Sequence, residues 1–158
     1  MSDKLDFVPT TNLLVLRGDE VLLIKRPDNA EHFPGWYMLP GGKQEKDETP
    51  TQTAVRETYE ETGIKALSPK LKVVATHLHE YKEKVYLVFI FIANEFSGDL
   101  VESDKVKPMW VKLADALKDL KLYPDLKRHL DIISKSSSNE IVFTYHEFDN
   151  QLNIIKTV

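Results

Sequence analysis

The stretch GGKQEKDETPTQTAVRETYEETGI, residues 41 to 64, predicts a glycine-rich loop that leads into a helix. Thr49 is a good N-cap, and Gln52 is placed to complete a capping box with it. Pro50 occupies the first helical position, where its missing N–H costs nothing. Gly63 is placed to end the helix, because glycine readily adopts the left-handed conformation of a helix terminus. The stretch therefore sets both ends of one helix.

Three glutamates lie on one face of this predicted helix. At 100° per residue, Glu57, Glu60 and Glu61 cluster on one side. Like charges three or four residues apart destabilise an isolated helix by about 0.2 to 0.5 kcal/mol per pair. The other side, which we expect to pack on a sheet, carries Val55, Tyr59 and Thr62. The acidic face is interpreted either as a solvated surface or as a site for a cation.

The residues around the glutamates favour the cation site. Their order is Gly42, five residues, Glu48, seven residues, Arg56-Glu57, two residues, Glu60-Glu61, one residue, Gly63 and then Ile64. This pattern resembles the complete signature of the Nudix hydrolases, the MutT-like family. The one departure is Thr58, where the family usually has an aliphatic residue. We expect Thr58 to face the side of the helix and to alter packing only slightly.

The resemblance implies a fold and a chemistry. The implied fold class is α/β, a Nudix-type α/β/α sandwich with a mixed β-sheet. The implied activity is that of an enzyme, a nucleotide pyrophosphohydrolase that cleaves the phosphoanhydride bond of a nucleoside diphosphate linked to a group X. The implied cofactor is Mg²⁺, with Mn²⁺ as the alternative, because both ions prefer oxygen ligands and bridge readily to phosphates.

The resemblance also assigns residues to the metal and to catalysis. The expected metal ligands are Glu57, Glu60, Glu61 and the carbonyl of Gly41. A further ligand is expected from the loop GDLVESDKVKP, in which Glu102 is preferred over Asp104. Instead of binding the metal, either Glu57 or Glu60 could serve as the base that orients or deprotonates the attacking water.

Four further residues have supporting roles in this assignment. Arg56 joins the catalytic group, because it is expected to brace the carboxylate of Glu60, with Glu48 as its second partner. Gly42, Glu48 and Gly63 are interpreted as structural positions of the signature. On the preceding hairpin, Arg26 matches a position from which family members direct a basic residue towards the substrate phosphates.

The substrate is less sharply indicated. The chain resembles the oxidised-purine triphosphatases of the family, which hydrolyse 8-oxo-dGTP to the monophosphate in nucleotide sanitation. A Trp-Pro-Asp-Asp stretch reads the purine there, and the corresponding residues here are Tyr123-Pro124-Asp125-Leu126. Tyr123 is expected to stack on the base and Asp125 to accept from its edge, while Met38 replaces an expected asparagine. Purine selectivity is therefore expected to be modest.

Other functions remain open at the level of sequence. Within the family, ADP-ribose, nucleotide sugars and dinucleotide polyphosphates are alternative substrates. A Nudix-fold sensor module without catalysis is a further alternative, although it predicts a damaged glutamate set. An unrelated acidic scaffold is the third, and it predicts no Mg²⁺ binding.

Composition limits the remaining possibilities. A chain of 158 residues predicts one domain, residues 1–158. The absence of cysteine excludes disulfides and thiolate chemistry, and a formal net charge of -4 argues against a nucleic-acid polymer as partner. Because no signal-peptide pattern or long apolar run is present, we expect a cytoplasmic protein with no membrane partner. The expected partner is a small-molecule nucleotide, and both a monomer and a homodimer are open.

The rest of the chain predicts strands around two helices. The predicted elements are a hairpin over residues 12–26, strands over 71–81 and 84–96, a short strand over 109–113, one helix over about 113–134, and a closing hairpin that turns at Asp149-Asn150. His77 and His79 share one strand face, but no third ligand is apparent nearby, so both are interpreted as ordinary sheet residues. The aromatic residues of VYLVFIF, residues 85–91, are interpreted as core.

Overall fold

The computed structural model describes residues 6–79 and 84–158, which contain eleven strands and three helices. The strands are β1 (Asp6–Arg17), β2 (Glu20–Lys25), β3 (Tyr37–Met38), β4 (Gly41–Lys43), β5 (Lys65–Leu67), β6 (Lys70–His79), β7 (Lys84–Ala93), β8 (Glu95–Ser97), β9 (Lys107–Lys112), β10 (Val142–Phe148) and β11 (Ile154–Thr157). The helices are α1 (Pro50–Thr62), α2 (Leu113–Asp119) and α3 (Leu126–Lys135).

A mixed sheet organises the described residues. Its main path runs β11-β10-β6-β7-β1-β2-β3, with β4 paired to β1 and β9 paired to β2. β1 runs parallel to β7 and β10 runs parallel to β6, whereas β6 and β7 are antiparallel. β5 and β8 form a separate antiparallel pair. The predicted mixed sheet with helices on its faces is therefore confirmed.

Alternating residues of β1 divide the core into two layers, because successive side chains of a strand point to opposite faces. Leu13 belongs to the cluster that contains Ala54 of α1. Leu14 belongs to the cluster that contains Ala116 of α2 and Leu130 of α3. Helix α1 thus covers one face of the sheet and the other two helices cover the opposite face.

Turn and cap residues act as the sequence predicts. Gly18 turns the first hairpin with φ +61°, and β1 pairs antiparallel with β2. The Thr49 side chain accepts from the Gln52 N–H, and the Gln52 side chain accepts from the Thr49 N–H. Gly63 ends α1 with φ +78°, and its N–H donates to the carbonyl of Tyr59 at 2.8 Å.

The single helix expected over residues 113–134 is wrong, because the chain forms α2 and α3 there. Pro124 disfavours helical conformation in the residue before it. The backbone ahead of it pairs instead with β3: the Tyr37 N–H donates to Lys121 and the Tyr123 N–H donates to Tyr37, each at 2.9 Å. This pairing holds Tyr123 beside β3.

The expected packing side of α1 is also wrong in part. Tyr59 is 58% exposed, whereas Thr58 is fully buried together with Thr53, Ala54 and Thr62. The sheet meets the helix along the arc through Ala54 and Thr58, which the polar composition of the helix conceals. The Thr58 hydroxyl is buried without a hydrogen-bond partner, so a threonine here is more than a small packing difference.

The closing hairpin forms as predicted, with β10 and β11 joined around Asp149. Residues 80 and 81, the end of a predicted strand, lie outside the described residues. No helix in the described part of the chain is long and apolar enough to cross a bilayer.

Candidate active site

A cleft of about 400 Å³ opens beside the first strands of the sheet. One group of lining residues includes Arg26, Gly41, Gly42, Lys43 and Glu61. A second group includes Met38, His77, Tyr86, Tyr123, Asp125 and His129. The cleft therefore joins a charged region with glycine backbone to a region of aromatic, imidazole and carboxylate groups.

Glu61 connects helix α1 to strand β4, which begins with Gly41. Its Oε2 accepts a hydrogen bond from the Gly41 N–H at 2.9 Å. Burial raises the pKa of Glu61 to about 7, against the lowering effect of the Gly41 hydrogen bond and of Arg26. The negative charges of Glu57 and Glu60 raise this pKa further. A cation in the cleft would favour the ionised form of this carboxylate.

Gly42 makes room for Glu57. A Cβ atom at Gly42 would lie 2.5 Å from Glu57 Oε1 and 2.7 Å from Oε2. Gly41 and Gly42 belong to β4, opposite Asn12 and Thr11 of β1. The glycine pair is therefore a short strand whose bare backbone lets the helix carboxylates approach the sheet.

Arg56 holds together the carboxylates around the start and middle of α1. It makes a two-pronged contact with Glu48, at 2.6 Å from Nε and 2.9 Å from Nη2. Its Nη1 lies 3.0 Å from Glu57 and 3.3 Å from Glu60. The expected contacts of Arg56 with Glu60 and Glu48 are thus present, and the arginine also reaches Glu57.

The Arg56 contact determines the charge state of Glu48. Hydrogen bonding to Arg56 lowers the pKa of Glu48 to about 2, and the Thr53 hydroxyl donates to the same carboxylate at 2.8 Å. Glu48 is therefore ionised at neutral pH. In the described residues Arg56 forms ion pairs with Glu57 and Glu60 but not with Glu61.

Of the expected ligands, Gly41 and Glu61 line the cleft, whereas Glu57, Glu60 and Glu102 are not among the described residues that line it. The Glu102 side chain is 69% exposed and lies 3.9 Å from Lys107. Its loop is nevertheless attached to the end of α1, because the Val101 N–H donates to the Thr62 carbonyl at 2.9 Å. The role of Glu102 as a ligand remains a prediction.

The residues predicted to face the substrate do line the cleft. Arg26 lies within it, and its Nε donates to the His32 carbonyl at 3.2 Å. Met38, Tyr123 and Asp125 lie in the other region. The Tyr123 ring meets Phe33 edge-on at a centroid distance of 5.1 Å, so an aromatic wall stands on this side.

Sequence reasoning missed the histidines of the cleft. His77 is buried at 5% exposure, and its Nε2 lies 2.8 Å from Asp125 Oδ2 although no aligned hydrogen bond forms. His129 Nδ1 lies 3.5 Å from the same oxygen, and His146 packs against both rings. The expectation that no third ligand lies near His77 is therefore wrong, because His129 and His146 lie beside it.

In the local sequence, only the four-residue spacing of Asp125 and His129 indicated this cluster. His77 and His146 come from distant strands, so no local pattern connects them to it. Burial acts to raise the pKa of Asp125, but the neighbouring histidines outweigh it and the pKa is lowered. Burial lowers the pKa of His129, and it lowers that of His146 to about 4.

Two other expectations change in part. Phe91 of the aromatic strand is buried core, as expected, but Tyr86 of the same strand lines the cleft. His79 also lines the cleft and stacks on Phe148 with ring planes 10° apart. Lys43 and Phe33 are further lining residues that the sequence did not indicate.

Comparisons with known proteins agree with this geometry. Residues 6–132 match the NUDIX domain. The Nudix hydrolase YvcI of Bacillus subtilis is 33% identical over 129 residues, which cover 79% of this chain and 78% of YvcI. Diphosphoinositol polyphosphate phosphohydrolase 3-alpha of Mus musculus is 33% identical over 121 residues, covering 75% of this chain and 70% of that protein. The crystal structure of the MutT protein from Bacillus halodurans has a TM-score of 0.83 and 26% identity, covering 96% of both chains.

Proposed function

This chain belongs to the Nudix hydrolase family, enzymes that cleave pyrophosphate bonds, and we propose that its substrate is a purine nucleoside triphosphate, preferably an oxidised one such as 8-oxo-dGTP. The products are the nucleoside monophosphate and pyrophosphate. One observation carries the proposal: a single cleft joins Glu61 of α1, and Gly42 against which the Glu57 carboxylate packs, to an aromatic wall with a buried carboxylate, Asp125.

The first region of the cleft, lined by Gly41, Gly42 and Glu61, and the adjoining glutamates of α1 fit a divalent metal ion. Glu57, Glu60 and Glu61, with the carbonyl of Gly41, would hold Mg²⁺, or Mn²⁺ as the alternative. Glu61 is half-buried and is not among the ion-pair partners of Arg56 in the described residues, and Gly42 provides space for the Glu57 carboxylate. Oxygen ligands of this type suit both ions. The bound metal supplies Lewis-acid polarisation of the phosphate oxygens, a lowered pKa of the attacking water and neutralisation of negative charge.

The chain's own residues position the reaction. Either Glu57 or Glu60 accepts the proton of the attacking water, and Arg56 fixes both carboxylates. Arg26 and Lys43, which line the same region, bind the phosphates of the substrate. Glu102 is an additional ligand from the loop that is attached to the end of α1. Gly42, Glu48 and Gly63 hold this arrangement in shape.

The other region of the cleft binds the base. Tyr123 offers an aromatic surface, which accepts any base, and Asp125 accepts hydrogen bonds from the base edge. Met38 lines the same region in place of a polar residue. With one carboxylate reading the base, discrimination between related purines amounts to about 1 to 3 kcal/mol.

A second candidate substrate is a diphosphorylated inositol polyphosphate. The observation in its favour is the 33% identity to diphosphoinositol polyphosphate phosphohydrolase 3-alpha of Mus musculus. Such a ligand carries many phosphates and needs many cations. The described residues that line the cleft include Arg26 and Lys43 as their only lysine or arginine side chains, which favours the nucleotide.

The family's other substrates and a binding role complete the alternatives. ADP-ribose, nucleotide sugars and dinucleotide polyphosphates share the phosphoanhydride bond. A sensor module without catalysis fits less well, since every glutamate of the signature is present. We also propose that residues 1–158 form one domain, because β10 and β11 extend the same sheet. The cytoplasmic location and the state as monomer or homodimer stay predictions from the sequence.

A substrate panel with Mg²⁺ tests the proposal. We expect 8-oxo-dGTP to give the highest kcat/KM, ahead of ADP-ribose, dinucleotide polyphosphates and a diphosphoinositol polyphosphate. Glu60→Gln should lower kcat on the best substrate by several orders of magnitude, because the amide keeps the shape and loses the charge. Glu95→Gln, an exposed site on β8, is the matched control and should behave as wild type.

Two results would count against the proposal. If ADP-ribose or the inositol compound outcompetes every triphosphate, the purine assignment is wrong and the family activity alone stands. If Glu60→Gln keeps more than about a tenth of wild-type kcat, which corresponds to a barrier change below about 1.4 kcal/mol, the role of Glu60 is wrong.

A further inference from the structure

Three histidines from distant parts of the chain meet beneath the base region of the cleft. His77 lies on β6, His146 on β10 and His129 on α3. The parallel pairing of β10 with β6 places His146 directly opposite His77. All three are buried, with exposures of 5%, 0% and 2%, respectively. Each offers a ring nitrogen, and these three nitrogens lie within 4.8 Å of one another.

The separation of the ring nitrogens suits a transition metal. Nε2 of His129 and Nε2 of His146 are 3.3 Å apart. Two nitrogens bound to tetrahedral Zn²⁺ at about 2.0 to 2.1 Å are about 3.3 to 3.4 Å apart. The two rings therefore already stand at the separation that a shared metal ion requires, and the ligand nitrogen of His77 lies within 4.8 Å of both.

Each ring has an oxygen partner for its outer nitrogen. With the His146 proton on Nδ1, the Thr157 hydroxyl accepts it at 2.6 Å and donates to the Tyr145 carbonyl at 3.4 Å. Nδ1 of His129 faces the carboxylate of Asp125 at 3.5 Å, which favours a proton on that nitrogen. In these tautomers both Nε2 atoms carry lone pairs, and they face each other at 3.3 Å. A cation between them removes this conflict, whereas the Thr144 hydroxyl, 3.4 Å from His129 Nε2, can donate only one proton.

Asp125 supplies the negative charge of the group. It is 4% exposed, and its ion-pair partners within the described residues are His77 and His129. Metal-bound histidines commonly donate their other N–H to a carboxylate or another oxygen, which fixes the ring orientation. Asp125 for His129 and Thr157 for His146 are in these supporting positions.

We propose that His77, His129 and His146, with Asp125, form a transition-metal site of the Zn²⁺ class beneath the base region of the cleft. Three imidazole ligands, with Asp125 as their outer carboxylate partner, suit Zn²⁺ and related ions rather than Mg²⁺, which prefers oxygen ligands alone. The site is chemically distinct from the carboxylates of α1. His77 and His129 line the cleft, which gives an ion a path of entry.

The site would fasten helix α3 to the sheet. His129 belongs to the helix, whereas its two partners belong to neighbouring strands, so one ion would cross-link three elements. Because Asp125 Oδ2 faces the histidines, its Oδ1 remains the atom to read a base. The metal would therefore also set the orientation of the carboxylate that the proposed function uses, although its binding can be tested without substrate.

The test is metal binding by the intact, metal-depleted chain in saturating Mg²⁺, which occupies the carboxylate site. Calorimetry with Zn²⁺ should show one tight site, and Co²⁺ should give the intense visible absorption of a tetrahedral complex. The long-range ¹H–¹⁵N spectrum of the imidazole rings should change for three histidines on addition of Zn²⁺. This last measurement needs no substitution.

Variants separate this site from others. His146→Asn should weaken Zn²⁺ binding by at least about 100-fold, and Thr157→Val, at an exposed position, by about 10-fold or more through loss of the outer partner. His79→Asn, on the same strand as His77 but outside the cluster, is the matched control and should bind as wild type. Glu60→Gln should also keep the site.

The proposal is overturned if wild type binds no Zn²⁺ or Co²⁺ under these conditions. It is equally overturned if binding is lost in Glu60→Gln and kept in His146→Asn, because the ion then occupies the carboxylates. Unchanged imidazole spectra at saturating Zn²⁺ would overturn it even if His146→Asn failed to fold. A hydrogen bond between Nε2 of His129 and Nε2 of His146 would then explain their separation of 3.3 Å.

Discussion

Glu61 differs from its two glutamate neighbours in the surroundings of its carboxylate. It accepts the Gly41 N–H in a half-buried position, whereas Glu57 and Glu60 contact Arg56. Burial raises the pKa of Glu61 to about 7. The same acidic face therefore contains one carboxylate that resists ionisation in the metal-free protein and two that are paired with an arginine.

The raised pKa of Glu61 predicts a loss of stability at high pH. The carboxyl group has a usual pKa of 4.5 and a folded pKa of about 7. Its contribution to stability is thus complete below the usual pKa and is lost as the pH rises through the folded pKa. In metal-free protein we expect the free energy of unfolding to fall by about 2 kcal/mol more between pH 5 and pH 8 in wild type than in Glu61→Gln.

Denaturant titrations at both pH values measure this difference. Saturating Mg²⁺ should restore the stability of wild type at pH 8, because a bound cation favours the ionised carboxylate. Parallel pH profiles for wild type and Glu61→Gln would contradict the prediction.

Substitution by alanine should have different effects at two glycines: loss of kcat at Gly42 and loss of stability at Gly18. Gly42→Ala places a methyl group 2.5 Å from Glu57 Oε1, so we expect at least a tenfold loss of kcat from the displaced carboxylate. Gly18→Ala meets no atom within 4 Å but has φ +61°, so it should cost about 1 kcal/mol of stability without loss of kcat. Kinetics and denaturant unfolding of both variants check this, and equal kcat values would show that the space at Gly42 is not needed.

Helix α1 is fixed at the level of the element by its caps and by one arginine. The Thr49 capping box starts the helix and Gly63 ends it. Arg56 then joins the helix to Glu48 in the preceding turn while it contacts Glu57 and Glu60. The planar guanidinium group makes this possible, because it presents several donors in a fixed geometry.

Arg56→Lys keeps the positive charge but is expected to lose several of the contacts that Arg56 makes. An ammonium group cannot contact Glu48 with two prongs and still reach the helix glutamates. We expect about 1 kcal/mol less stability and at least a tenfold lower kcat. The matched control is Arg17→Lys, at an exposed ion pair with Glu20, which should change stability by under about 0.5 kcal/mol. A kcat near that of wild type in Arg56→Lys would contradict the bracing role.

The whole molecule brings the two regions of the cleft together. The carboxylate region comes from β4 and α1, whereas Tyr123 and Asp125 come from the segment between α2 and α3. The pairing of Tyr37 with Leu122 fixes that segment against β3. Substrate choice is therefore a property of how distant segments meet.

At this scale, Asp125 and Tyr123 should affect selectivity differently. Asp125→Asn is expected to narrow the kcat/KM ratio between 8-oxo-dGTP and dGTP, because a carboxylate reads the donors of the base edge. Tyr123→Ala should lower kcat/KM for both nucleotides alike, because stacking tolerates any base. Asp131→Asn, an exposed carboxylate on the same helix α3, is the control. An unchanged ratio in Asp125→Asn would remove Asp125 from base recognition.

Local features of the molecule were predictable wherever neighbouring residues decide the conformation. The caps of α1, the turn at Gly18 and the Arg56–Glu60 contact each depend on residues within a few positions of one another. The spacing of the signature also identified the family, which the NUDIX domain match over residues 6–132 confirms. The long helix over residues 113–134 failed because β3 competes for the backbone before Pro124.

The sequence by itself determined the ends of α1, the spacing of its glutamates and the family, since each is written in short-range order along the chain. Tertiary structure decided the burial of Thr58, the partial burial of Glu61 and the meeting of His77 with His146, which are 69 positions apart but opposite each other in paired strands. Burial and long-range pairing depend on which strands become neighbours. Which strands become neighbours is decided by the free energy of the whole chain, so it cannot be inferred from any short segment of the sequence.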